Sequence, residues 1–490
     1  MKAASVMVLG CTSDAGKSWL ATALCRWYAR RGLKVMPFKA QNMSNHARVV
    51  PRVLATGAGG ECGWGEIGSA QYFQALAARA APDVRMNPVL LKPEADTRSQ
   101  VVVMGQVRAD LGAMAWRERS ALLRVEANRA LAELRQECDL LVIEGAGSPA
   151  EINLAANDYV NTGTAIASEA ACLLVADIDR GGAFAHLYGT HALMDERVRS
   201  QVRGFVLNKF RGDANLLAPA PQQLEALTGV PTLAVIPMRR DHGLPEEDAV
   251  PGQAGAAAGP RIVVLATPHS SNLDEFAPLS AAGLSVRFAR DAAAIAAADW
   301  LILPGSKHTR ADLQWLRAEG LDAAIQSHAK SGKPLLAICG GMQMLGQDIA
   351  DPAGLEGGSP GRSAGLGLLP LATEFERHKD LRRSNYRFEP IEGLWSDLSG
   401  LAFDGYEIHC GRTTPLAPLA CALAGAPGWC RGNVLALYPH GLFENPAVVQ
   451  ALFGRSGRSL EASFDRLADL IDECFGSASL MGLLAHQHGG

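Results

Sequence analysis

The chain has 490 residues, 48% of them hydrophobic and 20% charged, with a formal net charge of −4 and a pI near 6.3. That length exceeds one ordinary core and predicts roughly two to four domains, while the near-neutral charge excludes any whole-chain argument for nucleic-acid binding. Ten cysteines with no C-x-x-C pair argue against a disulfide framework or structural zinc and for a reducing cytoplasm.

The opening MKAASVMVLG is too short an apolar stretch for a signal-peptide core, and no segment reaches the roughly 18 uninterrupted apolar residues of a membrane helix. A cytoplasmic enzyme without a membrane partner is expected. The predicted strand Ser5–Leu9 runs into Gly10-Cys11-Thr12-Ser13-Asp14-Ala15-Gly16-Lys17-Ser18 and then a helix with Leu20, Leu24, Trp27 and Arg31 on one face. Strand, glycine loop, GKS and helix form a phosphate loop. Backbone N–H groups meet phosphates, Lys17 adds a mobile charge and the Ser18 hydroxyl can ligate Mg²⁺. Five residues separate Gly10 from Gly16, where the common pattern has four. The bacterial partition ATPases place an extra lysine early in this loop, where Thr12 and Ser13 stand here.

Further strands follow at Leu140–Ile143, Leu173–Ala176, Gly204–Leu207 and Thr232–Ile236, in a βαβ rhythm that predicts a mostly parallel sheet covered on both faces. Glu144, ending the first of these, is placed as a Mg²⁺ ligand beside the phosphate loop. Asp177, Asp179, Asn208 and Lys209 end the next two strands. They read equally as nucleotide or substrate contacts and as helix caps, with Asn208 taken as the phosphate-side candidate. The stretch PGQAGAAAGP predicts a linker over 251–260. The basic run Arg377 to Arg383, with Lys379 and Arg382, reads as a solvated face.

A second α/β series has strands Arg261–Ala266, Trp300–Leu303, Pro334–Ile338 and Val434–Tyr438. The third ends in Cys339-Gly340-Gly341-Met342-Gln343 before an amphipathic helix, the pattern of a nucleophile elbow. Gly340 leaves room for substrate and its N–H can face an oxyanion; the Gly305 region is expected to offer a second donor. His440, ending the last strand, is the predicted base, with His409 as competitor. An amphipathic helix carrying Phe464, Leu467, Leu470, Ile471 and Cys474 is expected to pack on the second domain, ahead of a polar tail. The fold class is therefore α/β with two doubly wound domains, 1–250 and 261–455, followed by a C-terminal helix and tail over 456–490.

With both constellations in place, the chain resembles the cobyric acid synthase family, from about residue 4 to about 455. The resemblance rests on Ser13–Ser18, Gln41-Asn42-Met43-Ser44, Asn87–Pro93, Glu144–Leu154, Asp177–Gly182, Asn208–Asp213, the Cys339 elbow and Gly405–Thr413. It implies a dethiobiotin-synthetase-like N-terminal domain and a class I glutamine amidotransferase-like C-terminal domain. It also implies ATP- and glutamine-dependent amidation of the b, d, e and g carboxylates of adenosylcobyrinic acid a,c-diamide, with Cys339 and His440 as nucleophile and base. ATP with Mg²⁺ is then a cosubstrate, no tightly bound prosthetic group is called for, and a homo-oligomer is compatible. Many class I glutaminases place an orienting glutamate two positions after the histidine. Leu442 stands there, and Glu444 is near only in sequence. Rival readings are the sister a,c-diamide synthase, a CTP-synthase-type amidoligase, and a nucleotide-switch module with a vestigial cysteine domain.

Overall fold

The structure, a computed structural model, describes residues 3–52, 63–95, 98–239, 243–244, 259–356 and 359–485. The expected linker lies outside the described residues except for 259 and 260, as does the end of the tail, 486–490.

Six parallel strands build the first sheet: β1 (Ala4–Gly10), β2 (Val35–Phe38), β3 (Leu140–Glu144), β4 (Ala171–Asp177), β5 (Val202–Phe210) and β6 (Thr232–Pro237), in the order β6-β5-β4-β1-β3-β2. Successive residues of one strand enter different cores. Val6 and Val8 join the cluster under α1 (Lys17–Ala29), whereas Met7 and Leu9 join the one on the opposite face. This two-sided burial explains the uninterrupted apolar runs that mark parallel strands. In register, Val8 lies beside Glu144, so the carboxylate emerges next to the loop that follows β1. Asp177 and Asn208 are likewise paired at the ends of β4 and β5. The crevice outside the carboxyl ends of the strands is where such sheets bind ligands.

The second sheet contains β7 (Arg261–Leu265), β8 (Ser285–Ala289), β9 (Trp300–Leu303), β10 (Leu335–Ile338), β11 (Ala420–Cys421), β12 (Gly428–Arg431) and β13 (Val434–Leu437), ordered β8-β7-β9-β10-β13-β12-β11. The first five in that order are parallel and the last two antiparallel. Strands β9, β10 and β13 are neighbours, so the loops after them, carrying Gly305, Cys339 and His440, converge by topology alone. A long antiparallel hairpin, Leu371–Arg387 with Ala402–Pro415, was not foreseen from the charged sequence of its first strand; its register shifts between Phe375 and Asp380.

Two expectations are corrected. The C-terminal amphipathic helix α4 (Leu460–Cys474) packs on α1 of the first domain. Phe464, Leu467, Leu470 and Ile471 enter the same core as Leu24, Trp27 and Tyr28, each contributing about 1.5–3 kcal/mol. Around that core Trp27 Nε1 donates to Asp472 Oδ1 at 2.7 Å, Arg30 Nη1 to Asp469 Oδ1 at 2.6 Å, and the Tyr28 hydroxyl to Leu480 O at 2.8 Å. An apolar stripe requires a partner without naming it; Arg26 of α1 and Arg30 and Arg31 just after it, opposite the acids of α4, make the choice. The basic run is not simply a solvated face either. The hairpin carries Lys379 to Glu66 at 2.6 Å and Arg383 to the Tyr72 hydroxyl at 2.6 Å, both across the seam between the domains.

Candidate active site

Two centres lie on either side of this seam. In the first, Gly16 at φ 94° precedes α1, and a side chain there would meet Asn208 Nδ2 at 2.0 Å. Asn208 Nδ2 donates to Ala15 O at 2.9 Å and Lys209 Nζ to Asp14 O at 2.6 Å, so the end of β5 holds the loop's shape. Gly10 also passes closely over Lys17, whose Nζ a side chain would meet at 2.9 Å. Lys17 Nζ donates to Thr12 O at 3.0 Å and to Gly147 O at 3.1 Å. Asp177 accepts from the Asp179 N–H and pairs with Lys209.

Glu144 is fully buried and held by four donors. Ser18 Oγ and Lys39 Nζ each lie 2.7 Å from Oε1, and Gln74 Nε2 and Gln71 Nε2 lie 2.6 and 3.3 Å from Oε2. Burial works against this charge, but the Lys39 ammonium and these donors outweigh it and hold the carboxyl below its ordinary range. Lys39 and the glutamines of α2 (Ser69–Ala77) were missed in the sequence, although Lys39 sits just past an apolar strand. The adjacent Ser18 and Glu144 oxygens are the hard donors that a magnesium ion combines with nucleotide phosphates. These residues fit that ion, with Lys39 sharing the carboxylate.

The second centre is built around Cys339, whose backbone is at φ 50°, ψ −110°, a region L-residues avoid. This turn lifts the thiol between β10 and the short helix α3 (Gly340–Leu345). A side chain at Gly340 would meet Ser306 N at 2.7 Å, and one at Gly305 would meet His440 Cε1 at 2.8 Å. Both glycines are required by close approach, which brings the two loops, the imidazole and the cysteine into one pocket wall.

His440 is buried. Its Nδ1 lies 2.8 Å from Glu275 Oε1, while Glu275 Oε2 accepts from the Gly441 N–H at 2.8 Å. Burial disfavours the imidazolium, yet Glu275 and the hydrogen-bonded Cys339 prevail and push the His440 pKa up to about 10. The carboxylate comes from 165 residues upstream, so no spacing rule in sequence identifies it. Glu444 serves elsewhere, accepting from Arg48 Nη2 at 2.6 Å. His409 stacks on Tyr438 at 3.8 Å between rings and hydrogen-bonds Glu407. Cys339 Sγ instead faces Ile408 O, 3.7 Å away.

The seam itself is buried and ionic. Buried Arg48 bonds Asp274 at 2.6 Å, Glu444 and the Tyr406 hydroxyl, and the Ala47 N–H donates to Asn272 Oδ1 at 2.9 Å. One turn, Asn272 to Glu275, therefore grips the first domain and orients His440.

A family profile described as CobQ/CobB/MinD/ParA nucleotide binding domain matches residues 6–249, and one described as CobB/CobQ-like glutamine amidotransferase domain matches residues 261–448. The cobyric acid synthase of Leptothrix cholodnii is 59% identical over 501 residues, spanning 99% of this chain and 97% of that protein. Those of Methylibium petroleiphilum and Variovorax paradoxus are 60% and 58% identical, spanning 99% and 98% of this chain and 97% and 99% of theirs. Similarity of this depth along both domains has one reading: the chain is an amidotransferase enzyme and belongs to the cobyric acid synthase family.

Proposed function

We propose that the enzyme uses glutamine and ATP to amidate the b, d, e and g carboxylates of adenosylcobyrinic acid a,c-diamide, a step of cobalamin biosynthesis. The observation that carries this reading is a buried thiol–imidazole–carboxylate line in the same chain as a phosphate loop with an ionised carboxylate behind it. The identity of the acceptor follows the names of the relatives and the resemblance of Gln41–Ser44 and Glu144–Leu154.

On the glutamine side, the Cys339 thiolate attacks the side-chain amide carbon. His440, oriented by Glu275, delivers its proton to the leaving nitrogen, so ammonia departs and a thioester remains for water to hydrolyse to glutamate. The Gly305 and Gly340 loops face the developing oxyanion. On the ATP side, Gly10, Gly16, Lys17, Ser18 and Asn208 shape the phosphate cradle. Ser18 and Glu144 would hold a magnesium ion, which when bound neutralises phosphate charge. A substrate carboxylate takes the γ-phosphoryl group, and ammonia displaces phosphate from the acyl phosphate to leave an amide.

Mass spectrometry of the a,c-diamide after incubation with ATP, Mg²⁺ and glutamine tests this. Each amidation replaces a hydroxyl by an amino group and lowers the mass accordingly. A substrate that stays unchanged, while cobyrinic acid is amidated instead, would move the enzyme to the sister a,c-diamide synthase.

A further inference from the structure

Arg48 belongs to the first domain, on the strand Ala47–Arg52, yet its buried side chain reaches into the second. Its Nη2 lies 2.6 Å from Asp274 Oδ2 and 2.6 Å from Glu444 Oε1, and its Nη1 donates to the Tyr406 hydroxyl. The guanidinium also lies 5.0 Å from the centre of the Tyr406 ring and 5.2 Å from that of Phe73, on α2. The two residues before it extend the grip. The Ala47 N–H holds Asn272 Oδ1, and His46 Nδ1 lies 3.6 Å from Asp274 Oδ1.

Each of the three polar contacts of Arg48 ends one step from His440. Asp274 precedes Glu275, whose Oε1 is 2.8 Å from His440 Nδ1. Tyr406 exchanges two backbone hydrogen bonds with His440, at 2.8 and 3.2 Å, and its ring stacks on the imidazole at 5.3 Å and 19°. The Glu444 N–H donates to Gly441 O at 3.1 Å, closing the turn that follows the histidine. The imidazole is thus held by a carboxylate at its edge and a ring on its face, and Arg48 fastens the support behind both. Such supports fix a direction only when they are themselves held in place.

Charge explains why an arginine stands there. Asp274, Glu275 and Glu444 share one guanidinium and one imidazole. Burial works against the Asp274 charge, but the Arg48 guanidinium outweighs it and holds that carboxyl below its ordinary range. The planar fork meets two carboxylates and a hydroxyl at once, which the point charge of an ammonium does not do in a fixed geometry. On its other side, the Arg48 strand pairs with Gly63–Gly68, which runs directly into α2. That helix supplies Phe73 to the guanidinium and Gln71 and Gln74 to Glu144. Arg48 therefore stands between the helix that holds Glu144 and the turn that holds the base.

We propose that Arg48 is a positioning residue for His440, so that the first domain, through this side chain, sets the orientation of the second domain's base. It acts through Glu275 and Tyr406 and not on the reacting atoms. The glutaminase is then complete only with the first domain docked on it.

The proposal rests on the glutamine-hydrolysing reading above, so the wild-type enzyme is assayed first. If it releases no glutamate from glutamine, that reading fails independently of Arg48. Given an active wild type, Arg48→Met should lower kcat for glutamine hydrolysis about ten- to hundredfold and leave the KM for glutamine within about threefold. Amidation from added ammonium chloride should stay within about twofold, which reports a folded first domain. Lys379→Met removes another ion pair across the seam and should keep glutamine hydrolysis within about threefold. The double variant is the sharpest measurement. If Arg48 acts through the Glu275–His440 pair, adding Arg48→Met to Glu275→Gln costs no more than about threefold further. An unchanged kcat, losses that multiply in the double variant, a parallel loss with ammonium chloride, or an equal loss in Lys379→Met would each overturn the positioning role. Should Arg48→Met not fold, Asp274→Asn takes its place in every comparison, since it removes the charge and keeps the side chain's size.

Discussion

The two centres hold their key carboxylates in opposite ways. Glu275 belongs to a line running from the thiol through the imidazole to the carboxylate, and among the described residues the other donor to Glu275 is the backbone N–H of Gly441, beside His440. Glu144 belongs to a ring of Ser18, Lys39, Gln71 and Gln74, drawn from three separate parts of the chain. A line fails when any member is lost, whereas a ring loses strength by degrees. The contrast suits the chemistry. The proton delivery proposed for His440 needs one tautomer and one direction, while a carboxylate proposed to face phosphates and a cation needs charge held steady as its surroundings change.

The comparison can be broken at three points. The largest effect belongs to Cys339→Ala, which should reduce glutamine-driven amidation by more than about 10³-fold and leave ammonia-driven amidation within about twofold. Loss of both would mean that the centres are not separable. Next is Glu275→Gln, expected to cost about 10²-fold in glutamine hydrolysis. Its sign with pH is fixed by the raised His440 pKa. The stabilised imidazolium is fully present below about 6.5 and lost as pH rises through about 10. Without the carboxylate the alkaline limb of the glutaminase profile should move down toward neutrality; a limb that stays put would remove Glu275 from the line. The smallest effect should come from Gln74→Ala, one donor of four on Glu144. A rise in the KM for ATP of about tenfold or less is expected, and a collapse comparable to Cys339→Ala would show that the ring is a line as well.

Features of the molecule that were legible in the sequence are those whose residues are contiguous. The β1 loop and the Cys339 turn each declare themselves within ten residues, because a strand, a tight turn and a helix must follow one another to make them. His440 was reachable because strand ends on a parallel sheet share one edge. Glu275, Lys39 and the α2 glutamines were not, since each acts through a side chain crossing to another strand's end, and nothing local distinguishes them from helix caps or solvated charges. The basic hairpin was misjudged for the same reason: Lys379 becomes meaningful only when Glu66 is opposite. The resemblance supplied the acceptor, which no residue pattern here encodes by itself.

The seat of α4 on α1 also has a consequence for how the chain comes to be folded. Arg30 finds Asp465 only 435 residues later, so while the polypeptide is being made, Leu24, Trp27 and Tyr28 lack the cover of Phe464, Leu467 and Ile471 until both domains have been synthesised. The first domain emerges early but matures late. Its phosphate-loop helix is covered by a helix that follows the amidotransferase domain along the chain, which delays the full burial of that helix until the second domain has been made.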